Sequence, residues 1–370
     1  MMNAFCILFS DSYGTSKMSE LSSPRTLASV PFGGRFRLVD FMLSSLVGAK
    51  VNTIGIVTRD KYGSLMDHVG WGKDWDLNRK NGGIKFLTPF LQDSNTAIGE
   101  NKFESLNSII QYIKTSLPEY CIICDANIVF NIDLSKFLDF HAEKGADISF
   151  VYKNIAPQQG DLEVTLDENG KVVDALCHTD SVEEEKNVAV NIVVMKKDLL
   201  ISLVEQGVTY GWHSIKRDVF AKKFNSMNIY GYKANGYLSI IRSVNDYYNA
   251  SMDLLKSSVR KELFMNDNQI LTRIKDSVPT IYGENCNVKN SLIADGCNID
   301  GTVENCIVFR DVKVEKGAVI KNSIIMQNTV VRKNSLLSCV ITDKDVEITE
   351  DKILAGSESM PFIINKGKIV

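Results

Sequence analysis

Beyond Pro279, branched aliphatic residues recur six apart: Ile293 and Ile299, then Val308, Val314 and Ile320, then Ile325, Val331 and Leu337, then Val340 and Val346. Gly, Asn, Asp and small polar residues fill the intervals, as in NCNVKNSLIADGCNIDG (285–301) and VEKGAVIKNSIIMQNTVVRKNS (314–335). A six-residue period suits a parallel β-helix, where each short strand sends one branched residue inward and three strands complete a coil. An antiparallel domain also uses β-branched residues, but not at so regular a spacing. The coils stack into a prism with open edges, and such edges are commonly covered in subunit contacts.

The preceding 245 residues follow a different rule. Short apolar runs, FCILF (5–9), TIGIVT (53–58), YCIIC (120–124), DISFVY (147–152), VAVNIVVM (188–195) and IYGYKA (229–234), alternate with helical patterns. In NKFESLNSIIQYIKTSL (101–117), Phe103, Leu106, Ile110, Ile113 and Leu117 recur at three- and four-residue spacing on one helix face. Such alternation predicts a mostly parallel sheet covered on both sides, with ligands at the C-terminal strand ends. The segment SVNDYYNASMDLLK opens on Ser243 with Asp246 three residues on, a helix start. The reading is therefore an α/β domain over 1–245, a linker with a helix over 246–280 and a β-helix over 281–370. A chain of 370 residues has room for two cores.

A net charge of −3 gives no reason to expect nucleic acid or an anionic membrane as partner. The absence of a long apolar run or a basic leader points to the cytoplasm. Cys121 and Cys124 form a C-x-x-C pair, but in a strand-like run without a second pair at zinc-ligand spacing, so they read as buried structural thiols. Cys286, Cys297, Cys306 and Cys339 read as small fillers of the β-helix core.

PFGGRFRLVDFMLSS (31–45) and WDLNRKNGGIKFLTPF (75–90), with the hexapeptide repeats, resemble the bacterial ADP-glucose pyrophosphorylases over essentially the whole chain. The resemblance implies a nucleotide-diphospho-sugar transferase (Rossmann-like) domain followed by a left-handed β-helix. It also implies a link to ADP-glucose synthesis from ATP and glucose 1-phosphate, for glycogen. The family contains a catalytic subunit and a shorter, non-catalytic partner of the GlgD type.

Measured against the catalytic subunit, this chain departs at the positions that carry chemistry. After the first strand, catalytic members have a loop close to G-G-x-G-[ST]-R-L, whose glycines let backbone amides reach the triphosphate. Here Ser10 and Asp11 replace the glycine pair, Gly14 and Thr15 persist, and Ser16 or Lys17 stands for the arginine. Asp11 sets a negative charge against phosphate, and Lys17 offers a point charge rather than a bidentate fork. Leu27 and Ala28 stand where a Lys-Pro pair is expected. Asn127 and Ile240 stand where two carboxylates would hold Mg²⁺, with Arg242 replacing a glycine; Asp125 is the nearby carboxylate. LCHTD (176–180) replaces a sugar-binding E-K-P element. Losing one preorganised charge stabiliser costs about 10²–10³ in rate, and here several are altered together.

Arg25 and Arg37 match arginines of the family's anionic effector site, although Asp67 near His68 has the wrong sign at a further basic position, and an ion pair of Arg37 with Asp40 is the plain structural alternative. His213 matches a family histidine but HSIKRD lacks the adjacent aspartate, and His68, His141 and His178 show no triad or ligand spacing. The expectation is a regulatory, catalytically degenerate subunit. It would need no cofactor of its own and would join a catalytic subunit that uses Mg²⁺ in a hetero-oligomer, a tetramer by family analogy. It would respond to a phosphorylated effector or nucleotide. The competing readings are an active adenylyltransferase remodelled around Lys17 and Asp125, and a ligand-sensing homo-oligomer without catalytic partner. An acyltransferase built on the β-helix lacks its usual histidine base, since none follows His213.

Overall fold

The computed structural model describes residues 2–12, 15–89 and 101–370. Gly14, the glycine of the 10–17 loop, lies outside the described residues, and the side chains of Thr15 and Ser16 are not described. The chain divides into two compact units: 1–13, 41–62 and 69–240 form the first, and 14–40, 63–68 and 241–370 the second.

The first unit is built on a nine-stranded mixed sheet. Its parallel half runs Gly83–Leu87, Thr53–Val57, Ala4–Phe9, Tyr120–Asp125, in that spatial order. Beyond Tyr120–Asp125 the long strand Lys186–Lys196 pairs antiparallel with it and with Ile148–Ile155 and Leu162–Leu166. Val172–Cys177 and Ile229–Lys233 complete the sheet. Every residue of Ala4–Phe9 is buried, as expected of a central strand covered on both faces. Phe5, Ile7 and Phe9 face one way at period two, and pack with Phe103, Leu106, Ile113, Leu200, Leu203 and Val204 from the overlying helices. Helix contact is close: a Cβ on Gly207 would lie 2.3 Å from the Phe103 ring.

The helix expected over 101–117 forms as two pieces, Lys102–Ser108 and Ile110–Thr115. Leu117 does not join the buried face and is 93% exposed. The helix has already ended at Thr115, and Pro118 disfavours helical backbone at the residue before it. Cys121 and Cys124 are fully buried strand residues, and burial pushes both thiols up.

In the second unit the repeats wind into a left-handed β-helix with three parallel five-stranded sheets. Ile299, Val314, Val331 and Ile348 stack in one sheet, Val303, Ile320, Leu337 and Leu354 in the second, and Ile293, Val308, Ile325 and Thr342 in the third. From Val308 to Thr342 each coil advances by 17 residues, the separation of Asn305 and Asn322 at equivalent corners, whereas the preceding coil, from Ile293 to Val308, advances by 15. Three six-residue steps would give 18, so one corner of each 17-residue coil is a residue short. That corner is taken by Asn290, Asn305, Asn322 and Cys339, all left-handed with φ of 41°, 53°, 47° and 51°. Asparagine tolerates this conformation better than most L-residues. The first three asparagines also form an amide ladder, Asn290 donating to Asn305 at 2.8 Å and Asn305 to Asn322 at 3.2 Å. Thr342 continues the row of Ile293, Val308 and Ile325, and Val340 and Val346, the pair six apart in the sequence, also pack in the β-helix core.

Candidate functional site

In the first unit, the parallel sheet brings a buried charge to the C-terminal end of a central strand. Asp125 closes the Tyr120–Asp125 strand and is fully buried. One of its oxygens accepts from the Lys102 ammonium at 2.6 Å, and the other from the Asn191 amide at 2.5 Å. Lys102 is set by local structure: Asn101 caps the short helix by accepting from the Glu104 N–H, and the Lys102 N–H donates to the His213 carbonyl. Its ammonium lies 5.0 Å above the Phe9 ring.

Two positions of the expected metal site meet in the structure. Ile128–Phe130 pairs antiparallel with Leu238–Ile240, so Ile240 lies opposite Ile128, the neighbour of Asn127. The two positions where the family resemblance implies carboxylates, here a neutral amide and an aliphatic residue, are thus one residue apart across this strand pair. Among the described residues no three His, Cys, Asp or Glu side chains converge as a metal cage. A hard dication needs several charged oxygen ligands, so this donor set does not fit Mg²⁺.

Beside Asp125 opens a cavity of about 360 Å³, lined among others by Lys102, His178, Asn191, His213, Lys216 and Arg217. The 176–180 segment contributes His178, whose ring bonds Glu163 at 2.8 Å. His213 and Ser214 donate backbone N–H groups to Asp218, each at 3.0 Å, where Ile215–Phe220 forms a π-helical turn. Burial works against the Asp218 carboxylate, but the Ser214 N–H, the Lys222 ammonium and the His213 N–H hold it well below the usual range. Asp218 therefore organises the turn that presents Arg217 and Lys216. Asp11 is half-buried beside Ser10, whose hydroxyl it accepts at 3.2 Å. His141 is a packed core residue bonded to Ser149 at 2.8 Å, and burial pushes it down to about 4.

Leu27 and Lys17 belong to the second unit, Leu27 buried and Lys17 exposed. The two arginines expected at an effector site also lie there and behave differently. Arg25 is buried in a bidentate pair with Asp343, both bonds 2.9 Å. Arg37 donates to the carbonyl and hydroxyl of Ser64 at 2.5 and 2.9 Å, and its backbone N–H donates to Asp40. It lines a small cavity of about 40 Å³ together with Arg273, Lys275, Arg310 and Lys344. Among the nearby carboxylates, Asp40 is engaged by His68 at 2.6 Å, Asp343 by Arg25, and Asp295 by Arg310 at 3.6 Å. Burial, reinforced by Arg37 and Arg25, pushes the Lys344 ammonium down to about 7. Burial likewise lowers Arg37 to about 10, with Asp40 opposing and Arg25 and Arg273 adding. Lys275 shifts down for the same reasons. Asp67 contributes its backbone carbonyl, which accepts from Arg273.

Sequence reasoning missed Lys102 and Asn191 in the first unit, and Arg273, Lys275, Arg310 and Lys344 in the second. No spacing rule links them. The fold assembles them from distant segments.

A nucleotidyl transferase family model matches residues 13–202, and a GlmU-like C-terminal hexapeptide model matches 277–359. The glycogen biosynthesis protein GlgD of Bacillus subtilis (strain 168) is 35% identical over 95% of this chain and 93% of its own. That of Geobacillus stearothermophilus is 36% identical with the same coverage. Glucose-1-phosphate adenylyltransferase of Acetivibrio thermocellus is 28% identical, over 94% of this chain and 82% of its own. The chain therefore belongs to the nucleotidyl transferase family and, within it, to the GlgD glycogen biosynthesis proteins, and it is similar to bacterial glucose-1-phosphate adenylyltransferases.

Proposed function

We propose that this chain serves glycogen biosynthesis in the cytoplasm as a regulatory, catalytically degenerate subunit of ADP-glucose pyrophosphorylase. The observation that supports this most is an Asp125 already occupied by Lys102 and Asn191, with Asn127 just before the strand Ile128–Phe130 and Ile240 on the strand paired with it. A carboxylate saturated by an ammonium and an amide has no charge to spare for a metal–phosphate complex. The proposed partner is a catalytic subunit in a hetero-oligomer, a tetramer by analogy, with Mg²⁺ acting in that subunit. The second unit's cluster of Arg37, Arg273, Lys275 and Lys344 suits a phosphorylated effector or nucleotide, with Arg25 holding Asp343 beside it. Regulation requires a coupling free energy between subunits, typically about 1–3 kcal/mol.

The test is ADP-glucose formation from ATP, glucose 1-phosphate and Mg²⁺ by this chain alone, by a catalytic subunit alone, and by the mixture. No turnover alone, with the mixture exceeding the catalytic subunit at equal concentration, is the expected result. Mg²⁺-dependent turnover by the isolated chain would overturn it and favour an active enzyme remodelled around Asp125.

A further inference from the structure

The strand-end carboxylate of the first unit has a cation, but the cation is part of the chain. Asp125 is fully buried, and a buried carboxylate without a positive partner is costly enough to shift its protonation or recruit an ion. Its two oxygens are instead met by the Lys102 ammonium at 2.6 Å and the Asn191 amide at 2.5 Å. The ammonium is itself mostly buried, its side chain 12% exposed, and is held by the Phe9 ring face at 5.0 Å. The cavity it lines has no carboxylate among its described lining residues, while Lys102, Lys216 and Arg217 bring three formal positive charges. A dication entering here would have to displace Lys102 from Asp125; among the described residues no three His, Cys, Asp or Glu side chains converge to hold it, and Asn127 and Ile240 contribute no carboxylate.

We propose that Lys102 is a built-in replacement for the divalent cation, so that this chain excludes metal from Asp125 and holds its strand-end cavity in a permanently metal-free, cationic state. This replacement involves the residues of this chain alone and does not rest on its role beside a catalytic partner. It accounts for how Asp125 can stay buried although Asn127 and Ile240 give a metal no further carboxylate.

Mn²⁺ is the probe, with binding to the full chain followed by the electron paramagnetic resonance signal of the free ion and by the metal's effect on the unfolding temperature. The wild-type chain is expected to give the same titration as Asp125→Asn. Lys102→Met keeps the side-chain length but removes the charge, leaving a buried carboxylate open to an ion. It is expected to bind Mn²⁺ at least about tenfold more tightly than wild type and to be stabilised by it. Both effects should vanish in Lys102→Met/Asp125→Asn. Wild-type binding that Asp125→Asn abolishes would overturn the proposal, as would a Lys102→Met response no larger than that of the double variant. If Lys102→Met does not fold, the comparison of wild type with Asp125→Asn still decides, because the proposal requires their titrations to coincide. The titration needs neither a catalytic partner nor turnover, so a mixture that fails to exceed the catalytic subunit would sink the regulatory reading and leave this proposal standing, whereas Asp125-dependent Mn²⁺ binding by an inactive chain would do the reverse.

Discussion

Replacing Lys344 by methionine should stabilise the protein at acid and neutral pH, against the usual direction for a core-facing substitution. The reason is the cost of burying the Lys344 charge, with repulsion from neighbouring cations added to it. Lys344 lies in a cluster with Arg37, Lys275 and Arg25, and burial with these charges lowers it from 10.5 to about 7. Moving an ionisation equilibrium by one pH unit takes about 1.36 kcal/mol, so charging Lys344 in the folded state costs at most about 5 kcal/mol relative to the unfolded chain. Partial exposure of the side chain and screening by salt reduce this, and a gain of about 2–3 kcal/mol is the reasonable expectation. The sign follows from proton counting. Below pH 7 lysine is charged in both folded and unfolded chains, and the folded state bears the full cost. Between about 7 and 10.5 the unfolded chain holds more protons than the folded one, so wild-type stability rises with pH. Lys344→Met should therefore exceed wild type most at pH 6, and the advantage should shrink steadily towards pH 10. Denaturant unfolding at pH 6, 8 and 10, followed by a probe in the β-helix unit, measures this. A difference that is flat with pH, or a variant less stable at pH 6, would refute the assignment of Lys344 as a strained cation.

Other consequences are open to simpler tests. Arg25→Ala leaves Asp343 as a buried unpaired carboxylate and should cost about 3–5 kcal/mol in chemical denaturation, whereas Arg25→Leu with Asp343→Leu should recover most of the loss; an Arg25→Ala chain of unchanged stability would remove the structural role. Arg37→Ala should weaken activation of the mixed enzyme by a phosphorylated effector about tenfold while leaving the effector-free rate unchanged, measured as the activator concentration at half effect; an unaltered value would place the effector elsewhere. Asn322→Ala loses the amide ladder at a left-handed corner with φ of 47° and should cost about 1–3 kcal/mol, while Asn322→Gly should be milder because glycine accepts that backbone. Equal stabilities for the two variants would mean the corner conformation is not what selects asparagine.

What was legible in the sequence is what depends on local periodicity. The six-residue spacing of Val308, Val314 and Ile320 dictated inward stacking because a β-helix repeats one environment, and the structure stacks each of them in register with its neighbours. Even the irregularity had a local trace, since Ile320 and Ile325 are five apart, but the left-handed backbone at that corner was visible only in the dihedral angles. Continuous apolar runs likewise marked Ala4–Phe9 and Tyr120–Asp125 as central strands. Family resemblance pointed to Asn127 and Ile240 as positions without carboxylate, and strand pairing set Ile240 opposite Ile128, the residue after Asn127. Only tertiary structure decided how charge is distributed. Arg25 and Arg37 look equivalent in sequence, yet one is consumed by Asp343, 318 residues away, while the other lines a cation cluster. Lys102 meets Asp125 across 23 residues and Asn191 meets it across 66. Electrostatic partners are chosen by proximity in space and by the dielectric that burial creates, and neither quantity is carried by the order of residues along the chain.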